Sequence, residues 1–137
     1  MRAGIVFFSV MNRERILSLV RSLARGIEAQ GHQVDIIDGN HDIQAKLTMY
    51  QYIAIGTETL SNLSSKIPGK IGQFLGASGM IAGKRCFAFV TKNLFGSGKA
   101  LSRLMKLMEQ EGMFIKNSLV LNSAAEAEEV GKKLQIH

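Results

Sequence analysis

The chain has 137 residues, 46% of them hydrophobic, which fits one domain able to bury roughly two-thirds of its unfolded surface. Its single cysteine, Cys86, excludes an intramolecular disulfide and a cysteine-built metal cluster and fits a reducing compartment, while the longest N-terminal apolar run, residues 3–11, is too short to span a membrane. The protein is therefore predicted to be cytoplasmic, and its net charge of +6 fits either an acidic partner or solvated Lys and Arg on helix faces.

Residues 3–8 (AGIVFF) form a continuous apolar run, the pattern of a central parallel strand buried on both faces. After a loop over residues 9–12, Ile16, Val20, Leu23 and Ile27 recur at helical spacing with Arg15, Arg21 and Arg25 off that face, and Gly31 stops the helix. Residues 34–37 (VDII) read as a second strand ended by the Asp38-Gly39 turn signal. Residues 41–49 carry no clear period. A third strand is predicted over residues 52–55, with Gly56 opening its loop. Pro68 suits the first turn of the next helix, whose core face is Ile67, Ile71, Phe74 and Leu75.

A fourth strand spans residues 85–90, and after Gly98 a stripe of Leu101, Leu104, Met105 and Met108 predicts a helix closed by Gly112. Residues 114–121 are the fifth strand. Ser123 and Glu126 have the spacing of a capping box, and the last helix carries acids early and Lys132 and Lys133 late, matching its dipole. Strands alternating with helices over short links predict one α/β domain, residues 1–137, with a doubly wound parallel sheet. In such a sheet, two strand-loop-helix units side by side (YIAIG-TETLSNLSSKIP and CFAFV-TKNLFGSGK) place their loops at the strands' carboxyl ends, where open α/β folds bind ligands.

From AGIVFFS to the closing helix, and most specifically in IAIGTETLSNLSSKIPGKIGQFL and GKRCFAFVTKNLFGSGKAL, the chain resembles the flavodoxin-like family, including small flavodoxins and flavin-linked reductases. The resemblance implies a three-layer α/β/α domain with a five-stranded sheet of order 2-1-3-4-5, noncovalent FMN, electron transfer or flavin-dependent oxidoreductase chemistry, and a redox protein partner. It assigns the phosphate to residues 9–14, with Ser9, Met11, Asn12, Arg13 and Glu14 at the family's S/T-x-T-G-x-T positions, and the flavin ring to Thr57, Glu58, Thr59, Asn93, Phe95 and Gly96, Phe95 being the stacking candidate. The phosphate loop departs from the pattern: only Ser9 keeps its type, Met11 replaces a hydroxyl, Asn12 a glycine and Glu14 a threonine. Arg13 or Arg15 turning toward the anion would offset Glu14. The alternative to FMN binding is a flavin-free binding or regulatory domain whose phosphate loop has lost its function.

Other motifs fail on inspection. NLFGSGKA resembles a Walker loop, but Asn93 stands in place of its first glycine and Ala100 follows Lys99 where Ser or Thr is needed. Cys86 lies inside an apolar strand, as a structural thiol does. The strand ends lack a receiver domain's paired acids, and His32, His41 and His137 share no ligand spacing, so no metal is predicted. Gly69, Gly72, Gly76 and Gly79 fall at helical spacing, which invites three readings: a close subunit contact as in a homodimer, a nucleic-acid clamp, or an irregular helix. The parallel-sheet setting disfavours the clamp, and neither nucleic acid nor membrane is an expected partner.

Overall fold

The computed structural model describes residues 1–136; His137 lies outside the described residues. The elements follow the order β1 (Arg2–Phe8), α1 (Arg13–Ala29), β2 (Gln33–Asp38), β3 (Tyr52–Thr57), α2 (Lys70–Gly76), β4 (Arg85–Thr91), α3 (Ser97–Gln110), β5 (Phe114–Leu121) and α4 (Ala124–Lys133). All strand pairs are parallel, in the order β2-β1-β3-β4-β5. This is the flavodoxin-like arrangement. The three inner strands are buried along almost their whole length, which explains their uninterrupted apolar sequences.

Side-chain alternation along the strands builds two cores, one on each face of the sheet. Val6, Phe8, Ile53, Ile55, Cys86, Ala88 and Val90 meet α2 and α3 on one face, while Ile5, Phe7, Tyr52, Ala54, Phe87 and Phe89 meet α1 and α4 on the other. Among the described residues no helix is long and apolar enough to cross a membrane.

The link between β2 and β3, where the sequence carries no clear period, is built of turns; it is held by Leu47 N–H donating to Ser78 O at 2.8 Å and by the buried Leu47 side chain. Three local features differ from the expectations above. Gly56 lies inside β3, paired with Phe7 and Phe89, instead of opening a loop; it is a glycine for a packing reason, since a Cβ there would fall 2.0 Å from the Phe89 ring. The helix after Pro68 is a short one that begins only at Lys70, so Gly69 is its cap and Gly79, at φ 90°, lies beyond it at a bend. The four glycines therefore do not share one helix face. In the capping box, Ser123 Oγ accepts from Glu126 N–H at 3.2 Å, but Glu126 reaches back to Asn122 N–H rather than to Ser123.

A contact that no sequence pattern signalled joins α1 to α4 on the second face. A Cβ on Gly26 would lie 2.3 Å from Glu128 O, and one on Gly131 2.4 Å from Leu23 O. Two glycines thus let these helices cross backbone to backbone.

Candidate functional site at the carboxyl ends of the strands

The chain leaves β1 at Phe8 and enters α1 through residues 9–12. Ser9 is fixed by its backbone: its N–H donates to Asn40 Oδ1 at 2.9 Å, and Asn40 Nδ2 donates to Ser9 O at 3.2 Å. Asn40 is held in turn by its own N–H donating to Asp38 Oδ1. Asn12 caps α1, its Oδ1 accepting from Arg15 N–H at 3.1 Å. With both ends of the loop pinned, the N–H groups of Val10, Met11 and Asn12 point inward together. Consecutive N–H groups at a helix N-terminus make an anion-binding concavity.

That concavity already contains an anion, the Glu58 carboxylate. Val10 N–H and Met11 N–H donate to Glu58 Oε2 at 2.5 and 2.9 Å, and Asn12 N–H donates to Oε1 at 3.0 Å. Glu58 is only 1% exposed, and a buried carboxylate requires donors of this kind. Its position follows from the sheet: Glu58 N–H donates to Phe8 O at 3.2 Å, extending the β1–β3 ladder by one residue, and buried Thr57 donates its hydroxyl to Glu58 O at 2.8 Å. The side chain has little freedom to leave.

The charged side chains beside the loop turn elsewhere. Arg13 Nη1 pairs with Asp38 Oδ2, and its guanidinium lies 5.4 Å from the centroid of the Phe7 ring. Asp38 Oδ2 also meets His41 Nδ1 at 2.7 Å. Burial pushes the Asp38 carboxyl upward, but the hydrogen bonds from His41 and Arg13 outweigh it and hold the group below its ordinary range. Arg15 reaches Asn122 Oδ1 at 3.4 Å, and Glu14 is exposed on the first turn of α1. Neither arginine faces the concavity, contrary to the expectation that one would turn toward an anion there. The anion in it is Glu58, which sequence reasoning placed against the flavin ring.

The second and third loops are laced to each other. Asn93 Nδ2 donates to Thr59 Oγ1 at 2.8 Å and to Ser64 O at 2.9 Å, and Leu94 N–H and Phe95 N–H both donate to Asn62 O at 3.1 Å. Gly96 seals the seam: at φ 92° it lies so close to the other loop that a Cβ would fall 2.8 Å from Ser64 O. Phe95 is 70% exposed and covers no core. It forms a crown at the loop tips with Leu60, Leu63 and Leu94, which are 44%, 67% and 73% exposed. Of the residues assigned to a ligand, then, Met11, Asn12 and Glu58 come together through hydrogen bonds, as do Thr59 and Asn93, while Arg13 and Glu14 stand apart. Asn40 and Asn62, which organise these loops, carry no motif by which a sequence would reveal them.

No protein-family model matches the sequence, and no curated protein sequence matches it. Among solved structures, the chain is similar to a flavodoxin from the Archaea (17% identity, TM-score 0.72, covering 96% of this chain and 94% of that one). It is also similar to the two-electron reduced flavodoxin of Megasphaera elsdenii (14% identity, TM-score 0.74, 93% of this chain and 96% of that one). A flavodiiron core from Synechocystis matches at 19% identity and TM-score 0.73 over 96% of this chain, which spans 34% of the length of that protein. The chain has the flavodoxin-like fold.

Proposed function

We propose that this chain is a flavodoxin-fold binding or regulatory domain that works without FMN. The observation that carries the reading is the Glu58 carboxylate, which accepts from the N–H groups of Val10, Met11 and Asn12 where the fold family would hold a phosphate. In this arrangement the residues present do not fit the phosphate. A phosphate charge about 4 Å from that carboxylate would meet a repulsion of roughly 4 kcal/mol per unit charge at an effective dielectric near 20. The N–H donors it needs are also already engaged. The seam between Asn93, Asn62 and Ser64 supports the same reading from the ring side, since the two loops that would frame a flavin hold each other. Fold alone does not determine function, and this site has replaced an external anion by an internal one.

The second reading, noncovalent FMN binding with electron transfer or flavin-dependent redox chemistry, is supported by the flavodoxins among the structural neighbours and by the exposed ring of Phe95. It requires Glu58 to leave the concavity and the Asn93 seam to part. Titration with FMN followed by flavin fluorescence separates the two. On the proposed reading the purified protein is colourless and leaves FMN fluorescence unchanged; a yellow preparation, or saturable quenching by the unaltered chain, would overturn it. The cytoplasm is the proposed location, supported by the single buried thiol of Cys86.

A further inference from the structure

Beside the closed loops, Leu60, Lys66, Ile67, Arg103, Lys106, Leu107 and Gln110 line an open groove of about 390 Å³ between the second loop and α3. Its floor is aliphatic. Its walls are cationic, and Lys99, four residues before Arg103, continues the basic stripe along α3 toward the exposed crown of Leu63, Leu94 and Phe95.

Two features mark this charge as unmatched within the chain. Among the described residues the ion pairs involve Arg2, Arg13, Arg25, His41 and Lys132, and none involves Lys66, Lys99, Arg103 or Lys106. The stripe also opposes its own helix. α3 has no acid in its first turn and no base in its last; Lys99 sits near the positive end of the dipole, with Glu109 and Glu111 near the negative end. A charge of the wrong sign at a helix end disfavours the helix. α4, by contrast, carries Glu126 in its first turn and Lys132 and Lys133 in its last. Helix stability therefore does not explain the α3 pattern.

Resting on the flavin-free reading, we infer that this groove is the docking site for an acidic, leucine-rich amphipathic segment of a partner protein. Apolar side chains of the segment would enter between Leu60, Ile67 and Leu107, and its carboxylates would meet Lys66, Arg103 and Lys106. Helix-in-groove recognition uses an apolar stripe of this kind, with charge complementarity setting register and encounter rate. A nucleic acid would engage the cations but leave the aliphatic floor unused, and Phe95 is the only aromatic at the crown, where single-strand binding calls for a row of stacking rings.

The test is fluorescence anisotropy with a labelled helical peptide bearing leucines at i, i+3, i+4 and i+7 and glutamates elsewhere on that flank. Three probes run beside it: the same peptide with lysines for glutamates, the same with alanines for leucines, and a single-stranded oligothymidine. Saturable binding of the acidic leucine peptide alone is expected, weakened at least about tenfold, roughly 1.4 kcal/mol, by Arg103→Glu combined with Lys106→Glu. Both side chains are exposed, so the variant should keep the circular dichroism of the parent. No binding, equal binding of the lysine or alanine peptides, tighter binding of the oligonucleotide, or indifference to the charge reversal overturns the proposal. FMN titration of the same preparations keeps the two readings apart. Quenching by FMN with peptide binding intact would refute the flavin-free reading alone, and absence of both signals would refute the docking site alone.

Discussion

Replacing Glu58 by alanine removes the acceptor for the N–H groups of Val10, Met11 and Asn12 at once. Hydrogen bonds to a charged group contribute about 1.5–3 kcal/mol each, but the three share one carboxylate and the emptied site can admit water, so the loss should be nearer about 3 kcal/mol than the simple sum. For a domain of this size that corresponds to a fall in Tm of roughly 10 °C. The emptied concavity should then accept an external oxyanion. In urea unfolding at constant ionic strength, inorganic phosphate or sulfate should restore about 2.7 kcal/mol to Glu58→Ala when present at about a hundred times its Kd, and do much less for the unaltered protein. The less perturbing Glu58→Gln, which keeps one acceptor oxygen but carries no charge, should lie between the two in stability. A variant as stable as the parent, or an anion effect of equal size in both, would show that Glu58 is not the anion on which this loop is built.

Asn93→Ala should release the seam between the second and third loops, lowering stability by about 1–2 kcal/mol and raising hydrogen exchange at Leu94 and Phe95; unchanged exchange there would refute the lacing role. Gly56→Ala should destabilise by about 3 kcal/mol, measured as a lower urea midpoint, since its methyl group would enter the Phe89 ring; a near-neutral result would mean the ring moves freely aside. Burial, followed by the nearby Glu109 charge, pushes the Cys86 thiol from 9.0 up to about 12. The unfolded thiol thus ionises before the folded one, and Cys86 disfavours the folded state progressively as pH rises from about 9 toward 12. Burial and then Asp35 raise Tyr50 from 10.0 to about 12, adding the same slope at the upper end of that window. Urea midpoints of parent and Cys86→Ala across this range should converge if that is right and run parallel if it is not. At neutral pH the folded protein should also leave thiol reagents unconsumed until it unfolds.

Much of the architecture was legible because its causes are local. Continuous apolar runs in β1, β3 and β4 mark strands buried on both faces, the spacing of Ile16, Val20, Leu23 and Ile27 marks a helix with one buried stripe, and Gly31 and Gly112, at φ 95° and 78°, stop helices in a conformation that suits glycine. Less was legible where a residue's reason lies far along the chain. Gly56 looked like a loop opener because nothing nearby reveals the Phe89 ring on the adjacent strand, and Gly26 and Gly131 gave no sign of the backbone crossing they permit. Arg13 was read as an anion ligand by position, but Asp38, 25 residues away, takes its guanidinium.

Composition and periodicity by themselves determined a parallel α/β sheet with ligand-type loops at one end, since burial patterns and turn chemistry are written in neighbouring residues. What those loops hold was decided only in three dimensions. Parallel pairing of β1 with β3 sets Glu58 beside Val10, Met11 and Asn12, and the seam at Asn93 depends on carbonyl groups near residue 62. A carboxylate and a phosphate satisfy the same N–H groups by the same electrostatics, so the loop's own sequence does not say which of them it holds; the strand next to it does.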